Sequence, residues 1–410
     1  MIKMVRVIAM LIFALSALCF GQSQEKLIFG FGSFPNDGRS PNGGLLFDKQ
    51  GNIYGTTQYG GANLNAGNVY ELSPQAGGSW SETILYNFCS VTNCVDGGHP
   101  KAGLVSDASG NLYGTTYDGG SGYPTPLGVV FELSPPAGGG AWTYTVLYNF
   151  GTTQTDGANP AGRLTWDSAG NLYGTTDNTV FEMTPDEGGS WSLTTLFTFC
   201  QGYQDCPNGL DALAGVSFDK AGNLYGTTYY GGFVDQWGVL YKLSPSMSGS
   251  NWTETLVDTF LPAGGARPMS AVNFDAAGNL YVTTSTGKGS GFCGGVDRYS
   301  ATTGRRQTYL FSLHGNGAYG CNPEAGVAVN PTTEVVYGTS FDGGSLGFGN
   351  VYKIAGGRAA SLYDFCQLDA CADGSNPQSS LTVDSHGNLY GTTSQGGVNG
   401  LSGVVFEITP

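Results

Sequence analysis

The chain has 410 residues, 40% hydrophobic and 12% aromatic, enough for one large or several ordinary domains and too much for a disordered polypeptide. Only 11% are charged, 31 acidic against 16 basic, with a formal net charge of −15. This excludes proteins that hold nucleic acid or anionic membranes through a basic patch. Glycine is the commonest residue at 68, beside 23 tyrosines, the profile of many short strands joined by tight turns.

In chain order, the first element is a secretory signal over residues 1–21. Lys3 and Arg6 give a basic start, Val7 to Phe20 form an apolar run too short to span a bilayer comfortably, and cleavage is expected near Gly21. A lipoprotein signal using Cys19 is the alternative, although Leu18 fits badly before it. Cleavage removes two basic residues and no acidic ones, taking the net charge from −15 to −17. The mature chain, 22–410, is read as one domain without a membrane span, secreted or held in the periplasm or at the cell surface.

Next comes EKLIFGF, residues 25–31, and then a word that keeps returning: GNIYGTT at 51–57, GNLYGTT at 110–116, 170–176, 222–228 and 387–393, and GNLYVTT at 278–284. With the degenerate VVYGTS, the tyrosines Tyr54, Tyr113, Tyr173, Tyr225, Tyr281, Tyr337 and Tyr390 recur every 52–60 residues. Each unit carries four runs of strand chemistry separated by Gly, Pro, Asp, Asn or Ser clusters. The expected fold is therefore all-β, a seven-bladed β-propeller with four antiparallel strands per blade. The last unit ends one strand short at FEITP, and residues 26–31 match the fourth-strand words TILYNF and TVLYNF. That segment is expected to complete the seventh blade and close the ring.

The repeated words have local jobs. Asp107 to Asn111 make the hairpin before the second strand. Gly114 is expected to leave room for an aromatic ring of a neighbouring blade. Trp80, Trp142, Trp191 and Trp252, near the start of strand four, are expected to anchor blade to blade. Taken in order, DxxGNLYGTT, VFELSP, GGxW, TxLYxF and DGxxP resemble the GloVer tandem repeat of bacterial proteins described as carrying a choice of anchor. The resemblance covers essentially the whole mature chain. It implies an exported or surface protein with a propeller-like repeat, but no reaction and no catalytic residues. A C-terminal sorting segment is not visible here, so the chain looks secreted. More loosely, DAAGNLYV at 275–282 is similar to NHL-type and lactonase-like propellers, over one hairpin only.

Without Cys19 there are eight cysteines, an even number in an exported chain. The expected bridges are Cys89–Cys94, Cys200–Cys206 and Cys366–Cys371, each local to a loop between blades, and Cys293–Cys321. No histidine accompanies these spacings as a zinc site would require.

If strand one lines the axis, the DGxxP loops and the loops between strands two and three share one face, where length and residue type vary most. The loop Asp177–Thr179 is the shortest, and its neighbours are long. A notch over blade three would be flanked by Tyr117, Asp118, Tyr123, Tyr229, Tyr230, Asp235 and Trp237, with Asp177 beneath, a composition suited to sugar or peptide recognition. The bland alternative is that the tyrosines pack and Trp237 caps its own blade. No cofactor is required. Asp37, Asp96, Asp156 and Asp373 would hold Ca²⁺ if they approached the axis as a ring, whereas Asp-Gly is also an ordinary turn pair. His99 and His314 fall on the loop face and His386 on the other, and neither GxSxG nor HExxH occurs. The expected function is a monomeric binding module for an extracellular glycan or protein. The alternatives are a lyase or hydrolase at the channel mouth, or a structural envelope or matrix protein.

Overall fold

The computed structural model describes residues 23–122, 126–153, 155–200, 206–232, 237–246, 252–262, 265–287, 293–310, 320–398 and 401–410. The expected signal segment, Tyr123, Asp235 and His314 lie outside these residues. Seven antiparallel sheets form the seven blades. Blade two shows the pattern: Val105–Ser106, Leu112–Thr116, Val129–Ser134 and Thr143–Asn149, paired in that order. The first strand is only two residues long in every blade. It runs along the axis, where backbones crowd: a Cβ on Gly103 would collide with the Gly44 carbonyl of the preceding blade.

The ring closes as expected. Gln24–Gly30 pairs antiparallel with Val404–Thr409, from Gln24 opposite Thr409 to Gly30 opposite Val404, with a bulge after Leu27. Phe31, just beyond the strand, is fully buried and donates its backbone N–H to Gly403.

The repeated word is now legible atom by atom. Asp107 Oδ1 accepts from the backbone N–H of Ser109 and Asn111, and Oδ2 accepts from the Asn111 amide and the Tyr113 hydroxyl. The Tyr113 hydroxyl also reaches Glu132 on strand three, so one side chain ties the hairpin to the next strand. Gly110 sits at φ 87°, where a Cβ is disfavoured. At the equivalent Asp167, burial works against ionisation. Hydrogen bonds from Asn171, Ala169 and Tyr173 outweigh it and hold the carboxyl below its usual range.

The threonines stitch neighbours together. Thr56 Oγ1 donates to the Ala102 carbonyl of the next blade, and Thr175, Thr227, Thr283 and Thr339 repeat the contact with Ala214, Ser270, Ala325 and Ser379. The tryptophans anchor blade to blade: Trp142 lies edge-on to Tyr54, Trp191 packs on Tyr113, and Trp252 on Tyr173, each on the preceding blade. Gly114 departs from expectation. The ring it admits is Phe131 of its own blade, its direct cross-strand partner. Tyr70, Phe181, Tyr241, Tyr352 and Phe406 fill the same place over Gly55, Gly174, Gly226, Gly338 and Gly391.

Blade five breaks this rule on both sides at once. Val282 stands where the others have glycine, and Asp297 where they have the ring. Asp297 is buried and answered by Arg306 at 2.6 Å, which also binds Asp258 of blade four at 3.0 Å. The Tyr299 hydroxyl donates to Asp258 as well. The valine fills part of the lost ring's volume, and the charge network satisfies the acid.

Candidate functional site on the loop face

Each loop that leads into a blade pairs with the loop between that blade's second and third strands. Gly38–Arg39 pairs with Tyr59–Gly60, Gly98 with Asp118, Leu210 with Tyr230, Ala266 with Thr286 and Cys321 with Asp342. Both loop classes therefore lie on one face.

At one equivalent position in each inter-blade loop the backbone is left-handed: Ser40, His99, Asn159, Asp211, Arg267, Asn322 and Asn376, all at φ 52–59°. Six of the seven precede a proline, Asp211 being followed by Ala212. A proline disfavours helical geometry in the residue before it, and among these types asparagine, aspartate and histidine tolerate αL better than serine or arginine. The conformation is held by neighbours on both sides. His99 donates its N–H to Ala66 O of blade one and accepts from Tyr117 N of blade two. These residues are keystones between blades. Three are asparagine, whereas His99, Asp211 and Arg267 place ionisable groups in strained positions, as functional sites often do.

Around blade three these keystones meet the predicted residues. His99 Nδ1 lies 2.8 Å from Asp118 Oδ1, and that contact raises the imidazole pKa against the effect of burial. Tyr59 packs edge-on against His99 at 5.5 Å. Lys101 Nζ sits 3.1 Å from the centre of the Tyr117 ring. Asp177 is pushed up to about 7 by burial and by the Asp211 charge, with Lys101 opposing. Burial lowers Lys101 while Asp177 and Asp118 pull it back up, and burial raises Asp211. Ala212 N donates to Asp177 O and Tyr229 N to Asp211 O, which carries the cluster into blade four. There Tyr229 and Tyr230 pack edge-on at 4.6 Å, and the Arg267 guanidinium stands 4.7 Å from the Trp237 ring centre.

Of the predicted residues, Tyr117, Asp118 and Asp177 are thus brought together, with Tyr229, Tyr230 and Trp237 beside them. Lys101, Asp211 and Arg267 escaped the sequence reading, and His99 was seen without a partner. Aligning the loops on the residue before proline would have picked out His99 and Arg267 but not Asp211, which precedes Ala212. Lys101 also lines an axial cavity of about 810 Å³, together with Glu324, Met269 and Arg163. The Gln378 amide donates to Glu324, and Arg163 donates to the Leu104 carbonyl.

The four aspartates of the DGxxP loops turn the other way. Asp96 accepts from the Tyr86 hydroxyl, the Ser90 N–H and hydroxyl, and Val91 N. Asp156 repeats the pattern with Tyr148, Thr152 and Thr153, and Asp373 with Tyr363, Gln367 and Leu368. Asp37 accepts from Ser33 N. Each latches its own loop, on four separate blades, and they do not assemble a ring. Among the described residues no three His, Cys, Asp or Glu side chains approach closely enough to hold a metal ion.

The bridges Cys89–Cys94, Cys293–Cys321 and Cys366–Cys371 are formed. The two short ones enclose single 3₁₀ turns, Thr92–Cys94 and Asp369–Cys371. Cys200 and Cys206 stand on either side of residues 201–205, which lie outside the described set. Thiol titration of the denatured, unreduced mature protein is expected to return no free thiol; two per chain would show this fourth bridge open.

The sequence matches the family described as the Gloeobacter/Verrucomicrobia repeat over residues 15–217 and again over 213–410. No curated protein sequence matches the chain. Among solved structures it is similar to virginiamycin B lyase from Staphylococcus aureus, with a TM-score of 0.57 and 11% identity, covering 95% of this chain and 99% of that one. It is also similar to the extracellular domain of a putative hybrid two-component system from B. thetaiotaomicron, with a TM-score of 0.55, 11% identity and 93% and 39% of the two chains. PorZ, a surface component of the type-IX secretion system of Porphyromonas gingivalis, gives a TM-score of 0.52, 12% identity and 89% and 46%. At these identities the shared feature is the propeller fold.

Proposed function

The chain belongs to the Gloeobacter/Verrucomicrobia repeat family, and from that membership and the geometry of the loop face we propose that it is an exported propeller that binds a glycan over blades two to five. One observation carries the reading: Tyr117, Tyr229, Tyr230 and Trp237 come together beside Asp118, Asp177 and Asp211, next to an open axial cavity. Aromatic faces cover the C–H faces of sugar rings, and carboxylates accept hydrogen bonds from their hydroxyls. The disulfides and the family membership support a location outside the reducing cytoplasm.

A second reading rests on Asp177. A carboxyl pushed up to about 7 beside a second acid holds its proton in roughly half of the molecules at neutral pH, which suits a general acid. One experiment addresses both. The mature protein is screened on a glycan array, and the hits are measured by calorimetry against Tyr117→Ala and Trp237→Ala. Each variant is expected to weaken binding about tenfold or more, equivalent to about 1.4 kcal/mol. No hit at all would sink the glycan reading. Mass analysis of incubated ligands then separates binding from turnover, since shortened products lost in Asp177→Asn would favour the enzyme.

A further inference from the structure

We propose that the pocket walled by Trp237, Pro262, Arg267, Thr286 and Gly287 is an acidic-sugar subsite, in which Arg267 and Trp237 hold the carboxylate of a uronic acid residue. The inference rests on the glycan reading and specifies its ligand.

The pocket has a volume of about 370 Å³, room for a single sugar ring. Trp237 Nε1 and Arg267 Nε are both buried, and neither finds an acceptor among the described residues. Both residues line the same cavity. Two donors withdrawn from water without a partner are costly to leave so. An occupant that brings acceptor oxygens would satisfy both.

The other well-enclosed arginines are answered from within the protein. Arg306 has Asp258 and Asp297, and Arg163 has the Leu104 carbonyl. Arg267 has no carboxylate partner among the described residues, although the mature chain carries a strong excess of acid. It has instead a stack of rings: Trp237 at 4.7 Å, Tyr229 at 5.5 Å and Tyr230 at 5.6 Å from the guanidinium carbon. Stacking fixes the plane of the guanidinium and leaves its edge for a ligand.

The backbone is fixed as well. Arg267 N donates to Trp237 O at 2.8 Å, and Arg267 O accepts from Ser285 N and Ser285 Oγ. At φ 54° before Pro268, this residue occupies a keystone position where asparagine would fit with less strain. A planar, two-oxygen anion matches the guanidinium fork, and the indole N–H adds a donor that a point-charge site lacks. Trp237 and Pro262 cover the apolar face of the sugar ring.

The test is calorimetric titration of the mature protein with oligogalacturonides, with their fully methyl-esterified counterparts, and with a sulfated disaccharide. The acid form is expected to bind at least about tenfold more tightly than the ester. Arg267→Gln is expected to abolish that preference, leaving acid and ester equal. Arg267→Lys should restore only part of it, because the charge returns without the fork. Trp237→Phe should keep ester binding and weaken the acid several-fold. Equal binding of acid and ester by the wild-type protein overturns the subsite and leaves the glycan reading standing. So does tighter binding of the sulfated sugar, or a preference that survives Arg267→Gln. The wild-type comparison holds even if a variant misfolds. No binding of any saccharide, charged or neutral, overturns both.

Discussion

Phe31→Ala is expected to destabilise the protein by about 3–5 kcal/mol, the usual cost of deleting a buried ring. At about 2–4 °C per kcal/mol, the melting temperature should fall by roughly 6–20 °C. Phe31 is fully buried and packs edge-on against Tyr70 of blade one at 5.0 Å and against Phe29 at 5.2 Å. Its cluster joins Ile28, Tyr390 and Val405 of blade seven to Leu45, Ile53 and Leu72 of blade one. The residue therefore wedges the last blade against the first. Leu27→Ala is the control, since Leu27 is 39% exposed, and should change little. Deleting residues 23–31 goes further. It removes the whole outer strand of blade seven and leaves the edge of Val404–Thr409 unpaired, an invitation to aggregate. Thermal melts and size-exclusion chromatography read both effects. A deletion variant that stays monomeric and melts within 2 °C or so of wild type, a small fraction of the shift expected above, would refute closure by this strand.

The second large effect is on pH. Stability is expected to be greatest near about pH 4.5, just above the ordinary carboxyl range, and to decline steadily toward pH 8.5. Burial, with a smaller contribution from the Asp373 charge, pushes Glu25 up to about 7. Burial, then the charge of Asp37 and a hydrogen bond to it, pushes Glu82 up to about 8. Burial alone pushes Glu254 up to about 7. In the unfolded chain all three titrate near 4.3. Between that value and the raised ones the native state holds more protons than the unfolded state, so stability falls as pH rises through this window. These side chains are partly exposed, and solvent screening cuts the cost well below the full 1.36 kcal/mol per unit. Together they are expected to remove on the order of 3 kcal/mol by pH 8.5. On the acid side the sign reverses. Asp167, Asp219 and Asp384 are partly desolvated, but hairpin amides hold them below the usual value, so their contribution is present above the ordinary carboxyl range and lost as pH falls through the folded pKa. Glu82→Gln preserves volume and removes one ionisation. It should raise the melting temperature at pH 8.5 and leave it nearly unchanged at pH 5. An equal shift at both values would show that Glu82 acts through packing instead.

What the sequence determined by itself was whatever is encoded within a few residues. The Asp-to-Asn hairpin closes on its own amides, Gly110 supplies the positive φ, and the strand words follow directly. Seven copies therefore counted seven blades, and the unmatched 25–31 segment gave the closure. The spacing of Cys89 and Cys94, and of Cys366 and Cys371, sufficed for the same reason. The tertiary structure decided what depends on residues one blade away. Gly114 serves a ring of its own blade because a cross-strand partner lies directly opposite, which repetition alone does not reveal. Asp96, Asp156 and Asp373 bond tyrosines on the preceding fourth strand, and Asp37 bonds the backbone of its own loop. Arg267, Asp211 and His99 became visible as a set only through their shared αL backbone, which no side chain advertises. Lys101 met Tyr117 because two loops of one blade pack together. A propeller writes its strands locally and builds its binding face between neighbours, so the scaffold was readable along the chain while the site required the fold.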